Sequence, residues 1–279
     1  MILTLAAAGW ILAAIVMTAL WAWHLRLRNA GIVDAGWTAL VAGLAVLYAN
    51  VGAGAWTRRS AIAWMMGSWG ARLTVYILYD RVFGRPEDGR YQEMRRAWGD
   101  RASSRFFVFF QEQAAAAVFF SLPALFASVN PDPLLSPLEL AACALWIVGF
   151  AGETTADRQL MRFKKNPANR GRTCQNGLWR YSRHPNYFFE WLMWVAYAVF
   201  ASASPWGWIA LACPAAMLYF LFCVTGIPPA EAQAIRSRGD EYRDYQRRTS
   251  IFFPWFPRGS AREGPERQEE PHGLEGQDG

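Results

Sequence analysis

The chain has 279 residues and a formal net charge of +6; 53% of its residues are hydrophobic and 15% aromatic. The apolar residues run in long uninterrupted blocks, which excludes an ordinary soluble core built from short alternating stretches. The basic excess does not point to nucleic acid, because Lys and Arg are sorted by loop, the pattern that membrane insertion produces.

A helix needs roughly 20 apolar residues to cross the hydrocarbon, and its backbone groups satisfy one another where lipid offers no hydrogen bonds. Seven spans are expected, over residues 3–23, 32–51, 61–78, 106–129, 134–152, 187–203 and 206–227. They make an all-α polytopic membrane domain over residues 1–256. The first span lacks a basic leader and a small-residue cleavage site, so it is expected as a mature helix and not a signal peptide. The loop after the third span carries Arg81, Arg85, Arg90, Arg95, Arg96, Arg101 and Arg105. The loop after the fifth carries Arg158, Arg162, Lys164, Lys165, Arg170, Arg172, Arg180 and Arg183. The connections around Pro131 and Ser204 carry no basic residue, so the N-terminus is expected outside and the C-terminus in the cytoplasm. From Pro257 onward almost nothing apolar remains, and a disordered cytoplasmic tail is expected over 257–279. Cys143, Cys174, Cys213 and Cys223 are scattered without CxxC spacing, which supports neither a metal site nor a disulfide framework.

Ionisable groups inside the spans mark where chemistry or helix pairing must occur, since a charge in hydrocarbon costs several kcal/mol unless it meets a cavity or a partner. Asp34, Arg72, Glu112, Glu139 and Glu190 are such groups. Arg72 with a carboxylate would be a structural salt bridge, and Glu139 an interface residue. Asp34 reads as an active-site acid or as a helix N-cap. Glu190 stands in the densest polar and aromatic run of the chain, GLWRYSRHPNYFFE at 177–190. Pro185 suits the first turn of a helix there, whose free N–H groups would face an anion beside Arg180 and Arg183. The alternative is a juxtamembrane anchor, with Arg183 on headgroups and Trp179, Tyr181 and Tyr187 in the aromatic belt. Two more polar segments, Glu153 to Lys164 and Ile227 onward through Glu231, Arg236, Arg238, Tyr242 and Tyr245, reach the same membrane face. Three such segments together suit one phosphorylated ligand, although neither a GxGxxG nor a Walker loop is present.

At these residues the chain resembles the steroid 5α-reductase family, in its bacterial membrane branch. The similarity lies in GIVDAGW at 31–37, the stretch 72–86, EDGRY at 87–91, ETTADRQLMRFK at 153–164, GLWRYSRHPNYFFE, and TGIPPAE with its Tyr-rich continuation at 225–255. The resemblance implies a seven-helix enzyme of the bacterial inner membrane, active as a monomer, that binds NADPH on its cytoplasmic side and reduces a lipid double bond such as the Δ4 bond of a 3-oxo steroid. It implies cofactor contacts from Arg72, Arg85, Glu153, Asp157, Lys164, Arg172, Arg180, Tyr181, His184, Asn186 and Arg238. It makes Asp34, as a protonated acid, the polariser of the substrate carbonyl, with Glu190 in the catalytic group. The second donor would be Trp69, where the family places a Tyr, or Tyr76. Such donors stabilise the oxyanion that hydride addition creates. Related Arg-His-Pro runs occur in isoprenylcysteine carboxyl methyltransferases, so an S-adenosylmethionine-dependent membrane methyltransferase is the alternative. A non-catalytic lipid-binding scaffold is a third reading.

Overall fold

A computed structural model describes residues 1–258, so all but the first two residues of the expected tail lie outside it. The protein is all-α, 79% helical, with no strand among the described residues. Five helical segments are long and apolar enough to cross a membrane: Ile2–Leu27, Ile32–Val51, Gly89–Ala127, Pro137–Lys165 and Gly207–Arg238. These make it a multi-pass membrane protein by length and composition.

Helix α1 (Ile2–Leu27) has 26 residues, about 39 Å at the α-helical rise, against roughly 30 Å of hydrocarbon. Helix α2 (Ile32–Val51) packs along α3 (Trp56–Ile77). Gly70 allows that approach, since a Cβ there would lie 2.4 Å from the Ala42 Cβ, the small-residue contact that membrane helices use. Arg58, Arg59 and Arg72 make α3 less apolar than the five segments, although it lies within the bundle. It ends in a π turn, Leu78–Val82. Helix α4 (Gly89–Trp98) is short and polar, and Asp88 caps it by accepting from the Arg90 N–H at 3.0 Å.

The fourth and seventh expected spans are not single helices. Pro123 cannot continue a helix interior, so α5 (Ala102–Phe120) stops and α6 (Leu122–Ala127) restarts beyond Ser121. The seventh is a 3₁₀ turn at Gly207–Leu211, then α9 (Ala212–Tyr219) and a second π turn at Phe220–Val224. Helix α7 (Pro137–Lys165) runs 29 residues and packs along α8 (Pro185–Ser202). Gly149 of α7 meets Phe189 and Met193 there; a Cβ on it would sit 2.7 Å from Met193 Cγ. Helices α10 (Ile227–Arg238) and α11 (Asp240–Arg248) close the far end.

The core is aromatic. Trp194 meets Trp69 at 5.3 Å and Phe120 at 4.7 Å between ring centroids, both edge-on, and Trp37 meets Phe120 at 5.4 Å. Edge-to-face pairs of this kind add about 0.5–1.5 kcal/mol each beyond burial. At one end of the bundle Arg58 and Glu139 form a fully buried ion pair. Arg58 also donates to the Asp132 and Leu134 carbonyls, while Glu139 and Ser136 cap α7 reciprocally. The interface expected of Glu139 is therefore a satisfied structural pair. Glu112 is exposed and has no ion pair among the described residues.

Candidate functional site

At the opposite end of the bundle each helix turns one stripe of side chains toward a common space. On α2 these are Asp34, Trp37 and Thr38, and on α3 Leu73, Tyr76 and Ile77. On α7 they are Glu153, Asp157, Leu160 and Lys164. The spacing of three or four residues puts each set on a single helix face. His184, Asn186, Tyr187 and Glu190 come from the entry of α8, and Arg238 and Gln233 from α10. Both π turns contribute as well, through Asp80 and Arg81 and through Leu221. Together they enclose a cavity of about 470 Å³, within the range of small-molecule sites, roughly 300–1,000 Å³.

The site separates into three polar groups. Asp34 accepts from the Tyr91 hydroxyl at 2.7 Å and from Arg90 Nη2 at 3.3 Å, with Arg81 4.0 Å away. In this arrangement the Asp34 carboxylate lines the cavity and orients two guanidiniums and a phenol, so that its expected role as the acid facing the substrate carbonyl would need these donors to move. Arg90 and Tyr91, which belong to the EDGRY segment, are the partners that reading of the sequence left without a role.

In the second group Arg72 is clamped between Glu153 and Asp157, the latter at 3.0 Å, and Asn186 lies beside Asp157. Arg72 is thus occupied by two carboxylates and does not line the cavity, contrary to its expected role as a direct cofactor contact. Glu190 and Glu153 lie close by on the facing helices.

The third group is centred on Glu231. It accepts from Arg183 Nε at 2.7 Å and Gln246 Nε2 at 2.8 Å, and lies 3.2 Å from His184 Nε2 and 3.3 Å from the Tyr242 hydroxyl. Arg183 further donates to the carbonyls of Gln246 and Thr249. Its charge is spent inside the protein, which corrects the expectation of an anion, or of lipid headgroups, at this arginine. Burial, joined by the Glu231 carboxylate, holds the Tyr242 phenol well above its ordinary range. His184 stacks on Tyr187 at 5.3 Å, nearly parallel.

Other expected residues lie elsewhere. Trp69, expected as a donor, is fully buried in the aromatic core and outside the cavity lining, and its indole N–H has no partner among the described residues. Arg172 and Arg180 are exposed to solvent, and Tyr181 packs edge-on against Phe256. Arg85 lines a neighbouring groove instead. Tyr76 lines the cavity, and its hydroxyl makes no hydrogen bond among the described residues.

Two buried donors in the cavity wall also lack any protein partner, the Trp37 indole N–H and the Thr173 hydroxyl. Buried polar atoms are nearly always paired, so both mark places where a ligand can bond. Lys164 and Arg238 line the cavity together with the apolar Trp37, Leu73, Ile77 and Leu221 and with the carboxylates of Asp34, Asp80, Glu153, Asp157 and Glu190.

A family described as "Protein of unknown function (DUF1295)" matches residues 20–249. No curated protein and no solved structure matches the chain.

Proposed function

The chain belongs to the DUF1295 family, which is associated with steroid 5α-reductase-like membrane proteins, and from that membership we propose that it reduces a carbon–carbon double bond of a membrane lipid with NADPH. The Δ4 bond of a 3-oxo steroid is the first substrate to try. In this reading the chain crosses a bacterial inner membrane seven times as a monomer, α3 and α8 being the two crossings shielded by the others. The C-terminus and the cavity mouth face the cytoplasm, where the basic loops lie.

The observation that carries the proposal is the cavity in which the stripes of α2, α3, α7, α8 and α10 meet, with cations, carboxylates and apolar side chains in one lining. Lys164 and Arg238 would hold phosphate oxygens through charge-assisted bonds, and Asn186 and Thr173 would take amide or ribose groups. The cofactor would supply a hydride. Addition at the β-carbon of an enone drives negative charge onto the carbonyl oxygen, and the free hydroxyl of Tyr76 is placed on the cavity wall to donate to it. Arg81 and Arg90, fixed by Asp34, add positive potential to the same wall. One preorganised donor of this kind contributes about 3–4 kcal/mol in the transition state.

Thermal melts of the detergent-solubilised chain test the cofactor. NADPH at 100 times its dissociation constant should add about 2.7 kcal/mol, and S-adenosylmethionine nothing. Stabilisation by S-adenosylmethionine alone would transfer the chain to the methyltransferase reading, and stabilisation by neither would favour a scaffold. NADPH oxidation with a 3-oxo-Δ4 steroid that never exceeds that of the Asn186→Ala protein would remove this substrate class.

A further inference from the structure

A second space, a groove of about 750 Å³, opens beside the cavity between the end of α3 and the end of α7. It shares Tyr76, Asp80, Arg81 and Lys164 with the cavity wall, so the two are neighbours through common side chains. Its lining is of two kinds. Val75, Tyr79 and Met161 are apolar and 53%, 73% and 38% exposed. On a membrane helix bundle, apolar side chains this open face lipid. The rest is largely cationic, with Arg85, Lys164 and Lys165 joining Arg81.

The acidic residues there do not neutralise that charge. Asp88 is taken by the Arg90 guanidinium at 3.2 Å and by the Arg90 N–H. Arg81 leans toward Asp34, which leaves Asp80 as the one other carboxylate on the groove among the described residues. Arg85, Lys164 and Lys165 have no ion pair among the described residues. The C-terminal dipole of α7 accounts for lysines in its last turn. It does not account for Arg85, which comes from a different element and converges on the same groove.

We propose that this groove docks an anionic amphiphile from the bilayer, with its phosphate or carboxylate head on Arg85 and Lys165 and its chain along Val75, Tyr79 and Met161. As a statement about substrate this rests on the reductase reading and narrows it: the lipid to be reduced carries a negative group, as a 3-oxo-Δ4 steroid with an acidic side chain does, and enters sideways, past Tyr76. A soluble anion would use the cations and leave the apolar wall idle; a neutral lipid would do the reverse. Cationic clusters at the bilayer surface select acidic headgroups on these grounds.

Photoactivatable phosphatidylglycerol and phosphatidylcholine with identical chains, added to the full chain in neutral detergent, separate these sources. Phosphatidylglycerol should label peptides covering residues 75–86 and 161–165 about tenfold more than phosphatidylcholine. Lys165→Glu should remove that preference, and Val75→Trp should lower labelling by both lipids. Excess inorganic phosphate should not compete. Equal labelling by the two lipids, a preference untouched by Lys165→Glu, or full competition by phosphate would each overturn the groove assignment. NADPH melts on the same wild-type sample keep the two readings apart. NADPH stabilisation without lipid preference sinks the groove alone, whereas lipid preference without NADPH stabilisation leaves the groove and removes its link to reduction.

Discussion

Replacing Glu231 by alanine should loosen the whole end of the bundle that holds the cavity. Glu231 joins α10 to the entry of α8 through Arg183 and His184, and to α11 through Tyr242 and Gln246. Losing the charge-assisted bond to Arg183 costs about 1.5–3 kcal/mol, and stranding the Tyr242 and Gln246 donors costs about 1 kcal/mol each. A severed buried ion pair costs about 3–5 kcal/mol. Arg183 keeps the carbonyls of Gln246 and Thr249, which holds the loss near the lower end, about 3 kcal/mol. For a chain of this size that is a fall in Tm of about 6–12 °C. Glu231→Gln keeps an acceptor for Arg183 and should lose about half as much. Thermal melts in one detergent, with limited proteolysis of residues 239–258, read the effect. A Glu231→Ala protein that melts within about 2 °C of the parent and is cut no faster would show that this carboxylate does not tie the C-terminal helices to α8.

At the other end, Glu139→Ala leaves the buried Arg58 without its counter-charge and should cost about 3–5 kcal/mol, whereas Arg58→Met with Glu139→Leu should recover most of it; chemical unfolding that shows equal losses for the single and double variants would refute the account. Asp88→Ala should cost about 1 kcal/mol through loss of the α4 cap. Burial opposes the Asp88 charge, but the Arg90 N–H and guanidinium prevail and hold its carboxyl below the ordinary range. Its contribution is therefore present above the unfolded value, about 3.9, and is lost as pH falls through the folded one. Stability of the parent and of Asp88→Ala should converge in acid, and a gap that widens there would contradict the sign. Burial pushes the Cys174 thiol up, and since the thiolate is the reacting form, maleimide should label it slowly at pH 7, faster in alkali, and more slowly still with NADPH bound. An unchanged rate with NADPH, followed by peptide mass, would place the cofactor away from this wall.

What could be read along the chain was whatever a single helix carries. Asp157 and Lys164 announce themselves because the α7 stripe is periodic and charged where an apolar helix should be ending. His184, Asn186 and Glu190 stand out by polar density at a proline-marked helix start. Partners brought in by packing left no such mark. Arg90 and Tyr91 reach Asp34 from 56 and 57 residues away, and nothing local to Asp34 tells a carboxylate already engaged from one awaiting a substrate. Arg183 shows the same ambiguity: an arginine beside a helix start reads as an anion site until Glu231 fills it. Trp69 matched a family position by spacing, yet a helix face is settled by its neighbours, and Trp37 and Trp194 claim that ring. The breaks at Ser121 and at the two π turns were also missed, because hydropathy averages over the single residues that cause them.

Each π turn holds one residue more than an α turn would. Deleting one residue within 78–82 would rewind the end of α3 and swing everything after it by about 100° around the axis. Arg81 would leave Asp34, and the loop that delivers Arg90 and Tyr91 would start from the wrong side. The surplus residue thus works as an angular offset, setting the heading of a basic loop that Asn29, Ala30 and Asp34 then fasten in place.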